Sequence, residues 1–283
     1  MIRTATHCDI IALRELWTEV FNDSPLFLDR FFGNLFVPDN CLVAEKDGQI
    51  ASMLFLLKAT ASRQQGNFPL RYVYACATHP DFREKGLMGQ LLRAAVQLAD
   101  KEGVGLILIP AIEPLFDYYK RFGFTQPTYL YRNSYPPLKA ANTTSEWERG
   151  DIADMPRTVA VLQEHRAAFL GKKNAVLWPD AHIKVVLEEL QTQGGELLLL
   201  NPDGSQCQGY ALTRLCNGGV EIIECACAGS QEELIASLRR HYNDYETRFT
   251  LLTPAQSSTQ MPHGLLYTPN PNAQPLFLNL GLD

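Results

Sequence analysis

The sequence lacks an apolar run long enough to cross a bilayer. Its longest apolar stretches, residues 103–112 and 196–200, fall short of the roughly 20 residues that a spanning helix needs. The N-terminus, MIRTATHCDIIALREL, carries charged side chains where an export signal needs an unbroken apolar segment. We therefore expect a soluble protein that is not exported.

The sequence also lacks the cysteine pattern of a disulfide framework. It has seven cysteines, an odd number, and none of them forms a CxxC pair. Cys225 and Cys227 raise the question of a metal site, but two positions apart on an apparent strand they point to one face, which favours packing. We expect reduced thiols, a cytoplasmic location and no metal.

An excess of positive charge is absent as well. The 25 Lys and Arg residues face 31 Asp and Glu, and the formal net charge is -6. Nucleic-acid binders usually need a clustered basic field to neutralise phosphates. We therefore expect no nucleic-acid or membrane partner, and an amine or other cationic substrate fits the charge balance better.

Apolar spacing and turn residues predict an α/β order for the first half of the chain. A helix is predicted over residues 9–21, and Asp47-Gly48 between two apolar runs predicts a β-hairpin. The following elements are a strand over 71–78, a helix over 87–102, a strand over 106–109 and a helix over 113–122 closed by Gly123. This order indicates a mixed sheet covered by helices.

The length of 283 residues favours two domains over one core. The segment YPPLKAANTTS, residues 135–145, is the best linker, so we predict domains over 1–138 and 145–283. The stretch GDIADMPRTVAVLQEH is similar to THCDIIALRELWTEV, and three predicted strands and a helix follow it, which indicates a tandem repeat of one fold. One elongated domain, or an unrelated second α/β domain, stays an alternative.

The most informative stretch is VYACATHPDFREKGLMGQLLRAAV, residues 73–96, in which a strand runs through a glycine-containing loop into an apolar helix. The first N–H groups of a helix lack partners within it, and the helix dipole adds partial positive charge, so this geometry binds anions. Gly86 and Gly89 permit close approach, and Arg83 and Lys85 add charge. An ordinary strand-to-helix turn gives the same pattern.

Within this stretch, THPDFREKGLMGQLL resembles motif A of the GNAT acetyltransferase superfamily, with Thr78, Pro80, Arg83 and Gly86 at matching positions. The resemblance implies that acetyl-CoA is the co-substrate. It also implies that the strand pairs with the pantetheine and that the loop amides hold the pyrophosphate. The implied cofactor-binding residues are Cys76, Ala77, Thr78, Arg83, Glu84, Lys85, Gly86, Leu87, Met88 and Gly89.

Two positions depart from the family pattern. Met88 stands where Gly or Ala is common, so its side chain is expected either to hinder the loop's approach to the cofactor or to point into the core. Glu84 replaces a frequently basic or small residue, and it either weakens phosphate binding or faces solvent.

A second element, PAIEPLFDYYKRFGF at residues 110–124, resembles the family's Tyr-x-x-x-Gly-Phe ending through Tyr119, Gly123 and Phe124. The resemblance implies that Tyr119 is a catalytic acid, since acetyl transfer leaves CoA as a thiolate that needs a proton. Tyr118 is the packing alternative on the same helix. His79 and Glu113 are candidate bases, and His165 and His182 receive no role.

The combination of this motif with a GNAT-like second half most resembles acetyltransferases of the enhanced intracellular survival type. That resemblance implies a tandem of two GNAT-like units and raises the carboxylate of Asp283, the last residue, as a catalytic base. The second half has no Arg-x-x-Gly-x-Gly run, because ECACAGSQEEL offers Gly229 with acidic Glu232 and Glu233. We therefore expect one cofactor site per chain.

The resulting hypothesis is an N-acetyltransferase in which a primary amine attacks acetyl-CoA directly in a ternary complex. The amine is a small metabolite, an aminoglycoside or a protein lysine. The alternatives are a non-catalytic acyl-CoA-binding regulator and a tandem-GNAT aminoacyl transferase that uses charged tRNA. The acidic balance of the chain counts against the last of these.

Overall fold

A computed structural model describes residues 1–64, 66–139, 146–150, 153–171, 173–200, 208–251, 255, 258–269, 276 and 278–282. The helices in these ranges are α1 (Ile10–Phe21), α2 (Pro25–Asn34), α3 (Leu87–Glu102), α4 (Pro114–Lys120), α5 (Met155–Leu170), α6 (Asp180–Thr192) and α7 (Gln231–His241). The strands are β1 (Ile2–Thr4), β2 (Cys41–Lys46), β3 (Gln49–Ser62), β4 (Phe68–Thr78), β5 (Gly105–Leu108), β6 (Gln126–Tyr135), β7 (Trp147–Arg149), β8 (Ala175–Leu177), β9 (Gly195–Leu200), β10 (Gly209–Cys216), β11 (Gly219–Cys227), β12 (Glu246–Leu251) and β13 (Thr259–Tyr267). No helix in the described ranges combines the length and apolarity that a bilayer span requires.

The local predictions for the first half agree well with these elements. The helix predicted over 87–102 is α3, and the hairpin turn places Asp47 and Gly48 at φ 54° and 79°, as a type I′ turn requires. The helix predicted over 113–122 is shorter, because α4 ends at Lys120 and Gly123, with φ 92°, lies in the following turn. Seven elements were not predicted from the sequence: α2, α6, β1, β7, β8, β12 and β13.

The strands form one mixed sheet, and the pattern of parallel and antiparallel pairing is the same when counted from either edge. From one edge it runs β1-β2-β3-β4-β5 and from the other β7-β9-β10-β11-β12, with β13 and β6 in the middle. In each set the last pair, β4/β5 or β11/β12, is parallel and the other pairs are antiparallel. The chain therefore contains two units of one topology.

The two units share the centre of the sheet. β13, from the second half of the chain, pairs with β5 of the first unit, while β6, from the first half, pairs with β12 of the second. β6 and β13 also pair with each other. The predicted domain ranges stay a prediction, and the predicted linker lies largely outside the described residues, since 140–145 are not among them.

Helices cover both faces of the sheet. On β3, Met53 and Phe55 join one apolar cluster with α1, α2, α5 and α6, whereas Leu54 and Leu56 join another with α3 and α4. Successive side chains of a strand point to opposite faces, so the two clusters lie on opposite sides of the sheet. α7 packs on a third cluster on the same side as α3, because Ala211 joins it while Tyr210 and Leu212 point to the α1 side.

Candidate active site

The site begins where β4 and β5 separate. The two strands pair only where Leu70, Arg71 and Tyr72 meet residues 105–107, and β4 then continues alone to Thr78. A β-bulge lies in this extension, because Phe55 of β3 faces Tyr74 while Met53 faces Ala77. Ala75 adopts a left-handed φ of 46° at the bulge. Beyond Tyr72, the edge of β4 that faces β5 is thus open within the described part of the chain.

The loop that follows β4 is held by its own side chains. His79 accepts a hydrogen bond from the Asp81 N–H at 3.3 Å and so caps the short helical turn at Pro80–Phe82. The Lys85 ammonium donates to the carbonyl of Asp81 at 2.7 Å, and the Arg83 guanidinium donates to the carbonyl of Thr78 at 3.3 Å. The loop is therefore positioned before any ligand arrives.

This loop leads into an uncapped helix N-terminus. Gly86 is the N-terminal capping residue of α3 with φ 73°, and no described side chain accepts a hydrogen bond from the first turn. Arg83, Lys85 and Gly86 are exposed beside it. Free N–H groups, the helix dipole and two cationic side chains together fit a diphosphate, as the cofactor prediction requires.

Gly89 and Met88, the other two positions of the motif, serve packing. A Cβ added to Gly89 would lie 3.1 Å from Cζ of the Phe122 ring, so glycine allows α3 to approach that ring. Met88 packs its side chain against the apolar core, which is the inward alternative raised in the sequence analysis and leaves the loop face clear. Glu84 is exposed.

Tyr119 lies against the bulged end of β4. Its side chain is 7% exposed, and its hydroxyl lies beside the thiol of Cys76. Burial and the neighbouring Cys76 raise the pKa of Tyr119, and burial raises the pKa of the Cys76 thiol to about 12. Both groups therefore keep their protons at neutral pH.

Tyr118 occupies a different environment on the same helix. It is half-buried, packs edge-to-face on Phe122 at 5.2 Å between ring centroids, and lies under the Arg121 guanidinium. Burial and the nearby Cys76 raise the pKa of Tyr118 as well, so both tyrosines lie near this thiol, and Tyr119 is the more deeply buried of the two. The catalytic roles of both tyrosines remain predictions.

A cavity of about 570 Å³ lies on the opposite face of the sheet, and we call it the central cleft. Both units line it, through Tyr74 of β4, side chains of β6 and β10–β13, the α1–α2 loop, α6 and residues 279–282. Tyr74 belongs to the α1 side and Cys76 to the α3 side. The separation of β4 from β5 therefore lies between the central cleft and the α3 loop.

Most charged side chains of the central cleft are compensated. Glu221 pairs with Arg214 at 2.8 Å, and Glu189 pairs with Arg30 at 3.0 Å. Asp23 accepts a hydrogen bond from the Trp17 indole at 2.8 Å.

Arg132 is different, since it forms no ion pair or hydrogen bond to any residue that the structure describes. Among the described residues, Arg132 on β6 is thus a cation of the central cleft without a counterion.

His263 is a cleft residue that the sequence analysis missed. It sits at a bulge of β13, where Pro262 faces Tyr129 and Gly264 faces Thr128, so His263 is the extra residue. Burial and repulsion from Arg132 lower the pKa of His263 to about 4. A sequence signal existed, because proline and glycine flanking one residue in an apolar strand are typical of a bulge.

The other candidate bases are placed as follows. His79 is engaged in the loop through Asp81, and Glu113 is exposed just before α4. His182 is buried, stacks on Trp178 at 4.0 Å and contacts the Leu280 carbonyl at 2.8 Å, which is a structural role. Asp283 lies outside the described residues, while its neighbour Leu282 lines the central cleft.

The corresponding region of the second unit lacks these features. The Ser230 hydroxyl accepts the Glu233 N–H at 3.1 Å and so caps α7, whose first turn is acidic. β11 pairs with β12 only over 219–222, and the Asn279 amide donates to the Ile223 carbonyl at 2.8 Å just beyond. The chain's own C-terminal segment thus occupies the opening of the second unit, which gives the one-site prediction a physical basis.

Comparisons with known proteins agree with this geometry. Residues 1–126 match the family model of the acetyltransferase (GNAT) domain. No curated protein matches the chain by sequence.

Three solved structures share the fold over nearly the whole chain. A probable N-acyltransferase from Enterococcus faecalis is 14% identical, with a TM-score of 0.78 over 95% of this chain and 72% of that one. A GCN5-related N-acetyltransferase from Anabaena variabilis is 15% identical, with a TM-score of 0.72 over 94% and 72%. Eis1 from Mycobacterium abscessus is 16% identical, with a TM-score of 0.66 over 95% and 73%.

At these identities the likeness establishes the fold, and the family model identifies the first unit. The match ends at the start of β6, just after the loop, α3 and α4 that form the site. Residues 1–126 therefore match an acetyltransferase (GNAT) domain, and the whole chain shares the fold of these solved structures.

Proposed function

We propose that the protein transfers the acetyl group of acetyl-CoA to a primary amine, by direct attack in a ternary complex. The observation that carries this proposal is the opening between β4 and β5. It lies between an uncapped helix N-terminus on the α3 side and the central cleft on the α1 side. Cofactor and acceptor can therefore approach one reacting carbon from opposite faces.

The residues of the first unit fit the cofactor in two parts. The diphosphate would lie on the N–H groups of residues 83–89, where Arg83 and Lys85 add charge. The pantetheine would run along β4 at Cys76, Ala77 and Thr78, on the side that faces β5, where no described strand pairs with these residues.

The chemistry needs a proton at the leaving sulfur. The amine nitrogen attacks the thioester carbon, backbone donors polarise the carbonyl, the C–S bond breaks, and the Tyr119 hydroxyl gives its proton to the thiolate. The proximity of Tyr119 to the Cys76 thiol supports this role, because it places the hydroxyl beside the edge of β4 where the pantetheine would run. The attacking amine must also lose a proton, for which Asp283 and His263 are candidates.

The acceptor is a small-molecule amine or a lysine side chain, and cysteine usage favours a cytoplasmic reaction. The regulator alternative would require an impaired cofactor loop, but the Met88 side chain packs into the core and leaves the loop face clear. The aminoacyl-transferase alternative needs a basic surface for tRNA, which a net charge of -6 does not favour.

A thiol-release assay with acetyl-CoA and a panel of amines tests the proposal. The panel includes small metabolites, an aminoglycoside and a lysine peptide, and mass spectrometry identifies the acetylated product. We expect CoA release that depends on the amine. A protein that gains thermal stability with CoA but releases none with any amine would be the regulator instead.

A further inference from the structure

We propose that His263 accepts the proton of the attacking amine, which makes the second half of the chain supply the catalytic base of the first unit. This inference rests on the proposed amine acetylation. It assigns the base to β13, a strand that the sequence predictions place in the other domain.

Strand register places His263 at the opening. Ile107 of β5 pairs with Tyr72 on one side and with Leu266 of β13 on the other. From that row, β4 continues to Tyr74 and β13 continues in the same direction to His263. Both side chains line the central cleft, so they flank the gap that an amine must enter to reach a thioester held along β4.

The imidazole of His263 is not held by a described hydrogen-bond partner. It makes no hydrogen bond within the described ranges, unlike His79, which caps a turn, and His182, which binds the Leu280 carbonyl. The bulge at His263 removes this residue from the regular pairing with β6 and aims it at the central cleft. Bulges commonly redirect one side chain in this way.

The charges around the central cleft keep the ring neutral. Arg132 of β6 is the uncompensated cation, and it acts with burial to lower the pKa of His263 to about 4. The other ionisable groups that line the cleft are Tyr74 of β4, Asp23 before α2, Glu189 of α6, Arg214 of β10 and Glu221 of β11. Since Glu189 and Glu221 are engaged with arginines, they do little to attract a proton to the ring.

Each proton that moves in the reaction is then accounted for by His263 on the cleft side of the sheet and by Tyr119 on the α3 side. As the N–C bond forms, one amine proton passes to His263, and as the C–S bond breaks, Tyr119 gives its proton to sulfur. His263 afterwards releases its proton to solvent through the central cleft, and Tyr119 recovers one from solvent. The net products are the amide and free CoA thiol.

His263→Ala tests this assignment in the full-length protein. We expect the acetylation rate constant to fall by about 10²-fold, the lower end of the usual contribution of a general base because the lowered pKa makes the ring a weak base, while the CoA dissociation constant stays the same. Added imidazole should restore turnover in proportion to its concentration, which a purely structural role would not allow. His7→Ala, at an exposed position outside the central cleft, is the matched control.

The outcomes separate the two proposals. If wild type acetylates an amine and His263→Ala is equally fast, the base assignment is overturned and the acetylation stands. If His263→Ala is slow but imidazole fails to rescue it, while His263→Gln is as fast as wild type, the role is packing and the assignment also fails. If wild type acetylates no amine, the proposed function fails and this inference with it.

Discussion

The hydroxyl of Tyr119 lies beside the thiol of Cys76, and this contact joins α4 to the bulged end of β4. Cys76 lies on the open edge where the pantetheine is proposed to run. The contact therefore places a protonated phenol near the position of a departing thiolate, on the face opposite the central cleft.

Tyr119→Phe should lower turnover and leave CoA binding nearly unchanged. The substitution keeps the buried ring and removes the hydroxyl. General acid assistance is typically about 10²- to 10⁴-fold, although a thiol with a pKa near 8.5 is a fair leaving group and reduces the loss. Single-turnover kinetics and calorimetry with CoA measure the two quantities.

Tyr118→Phe is the control, because it changes the neighbouring ring that packs on Phe122. Neighbours on a helix point about 100° apart, so its hydroxyl should not reach the same sulfur. Full turnover in Tyr119→Phe combined with loss in Tyr118→Phe would contradict the assignment of the acid.

Gly86→Val should weaken CoA binding more than Glu84→Ala. Gly86 has φ 73°, which costs a residue with a side chain about 1–2 kcal/mol, and a branched residue more. A Cβ at Gly86 meets no protein atom within 4 Å, so the effect comes from the backbone and from the approach of the diphosphate. We expect the dissociation constant to rise about tenfold or more, as a loss of at least 1.4 kcal/mol implies.

Glu84→Ala removes one exposed negative charge near the diphosphate and keeps a Cβ at a φ of 61°. Its affinity for CoA should equal or slightly exceed that of wild type. Calorimetry on both variants at the same ionic strength makes the comparison, and equal losses of affinity would refute the loop assignment.

Much of this site could be predicted from the sequence because it is local. The strand, loop and helix of residues 73–96 follow one another along the chain, and their apolar spacing and glycines determine α3 and its uncapped start. Tyr119 could be found for the same reason, since α4 lies only a short distance further along the chain.

The rest depends on contacts between distant parts of the chain. The exchange of β6 and β13 between units involves pairings more than a hundred residues apart, which no local pattern encodes. His263 therefore could not be connected with Tyr74 from the sequence. α2 was a different omission, because Ser24 followed by Pro25 is a recognisable helix start.

Glu224→Gln should destabilise the fold strongly. Glu224 of β11 and Arg166 of α5 form an ion pair at 3.0 Å, and each side chain is 1% exposed. Removing the carboxylate charge leaves the guanidinium buried without a counterion, which typically costs about 3–5 kcal/mol. Chemical denaturation measures the loss in the free energy of unfolding.

Two further variants serve as comparisons for Glu224→Gln. Asp29→Asn breaks an exposed pair with Arg14 and should cost about 1 kcal/mol or less. Arg166→Met combined with Glu224→Gln also removes the buried guanidinium of Arg166. This double variant should be more stable than Glu224→Gln alone. A Glu224→Gln variant as stable as Asp29→Asn would show that the buried pair does not need its charge.

Arg132→Gln should raise the pKa of His263. Repulsion from the guanidinium favours the neutral ring, so its removal moves the pKa of about 4 toward the ordinary value. Burial remains and should keep the pKa below that value. Titration of the His263 ring by nuclear magnetic resonance measures the change, with Arg214→Gln as a control at a cation that Glu221 already compensates. An unchanged pKa in Arg132→Gln would mean that Arg132 does not act on the ring.

The most direct test of the central claim, transfer across the gap between β4 and β5, is a crystal structure with a bisubstrate ligand. The ligand joins the sulfur of CoA to the amine with the fastest turnover. We predict one molecule per chain, with its diphosphate on the start of α3, its thioether beside Cys76 and Tyr119, and its amine portion in the central cleft near Tyr74 and His263. A ligand bound to the second unit, or with both portions on one face of the sheet, would contradict the account.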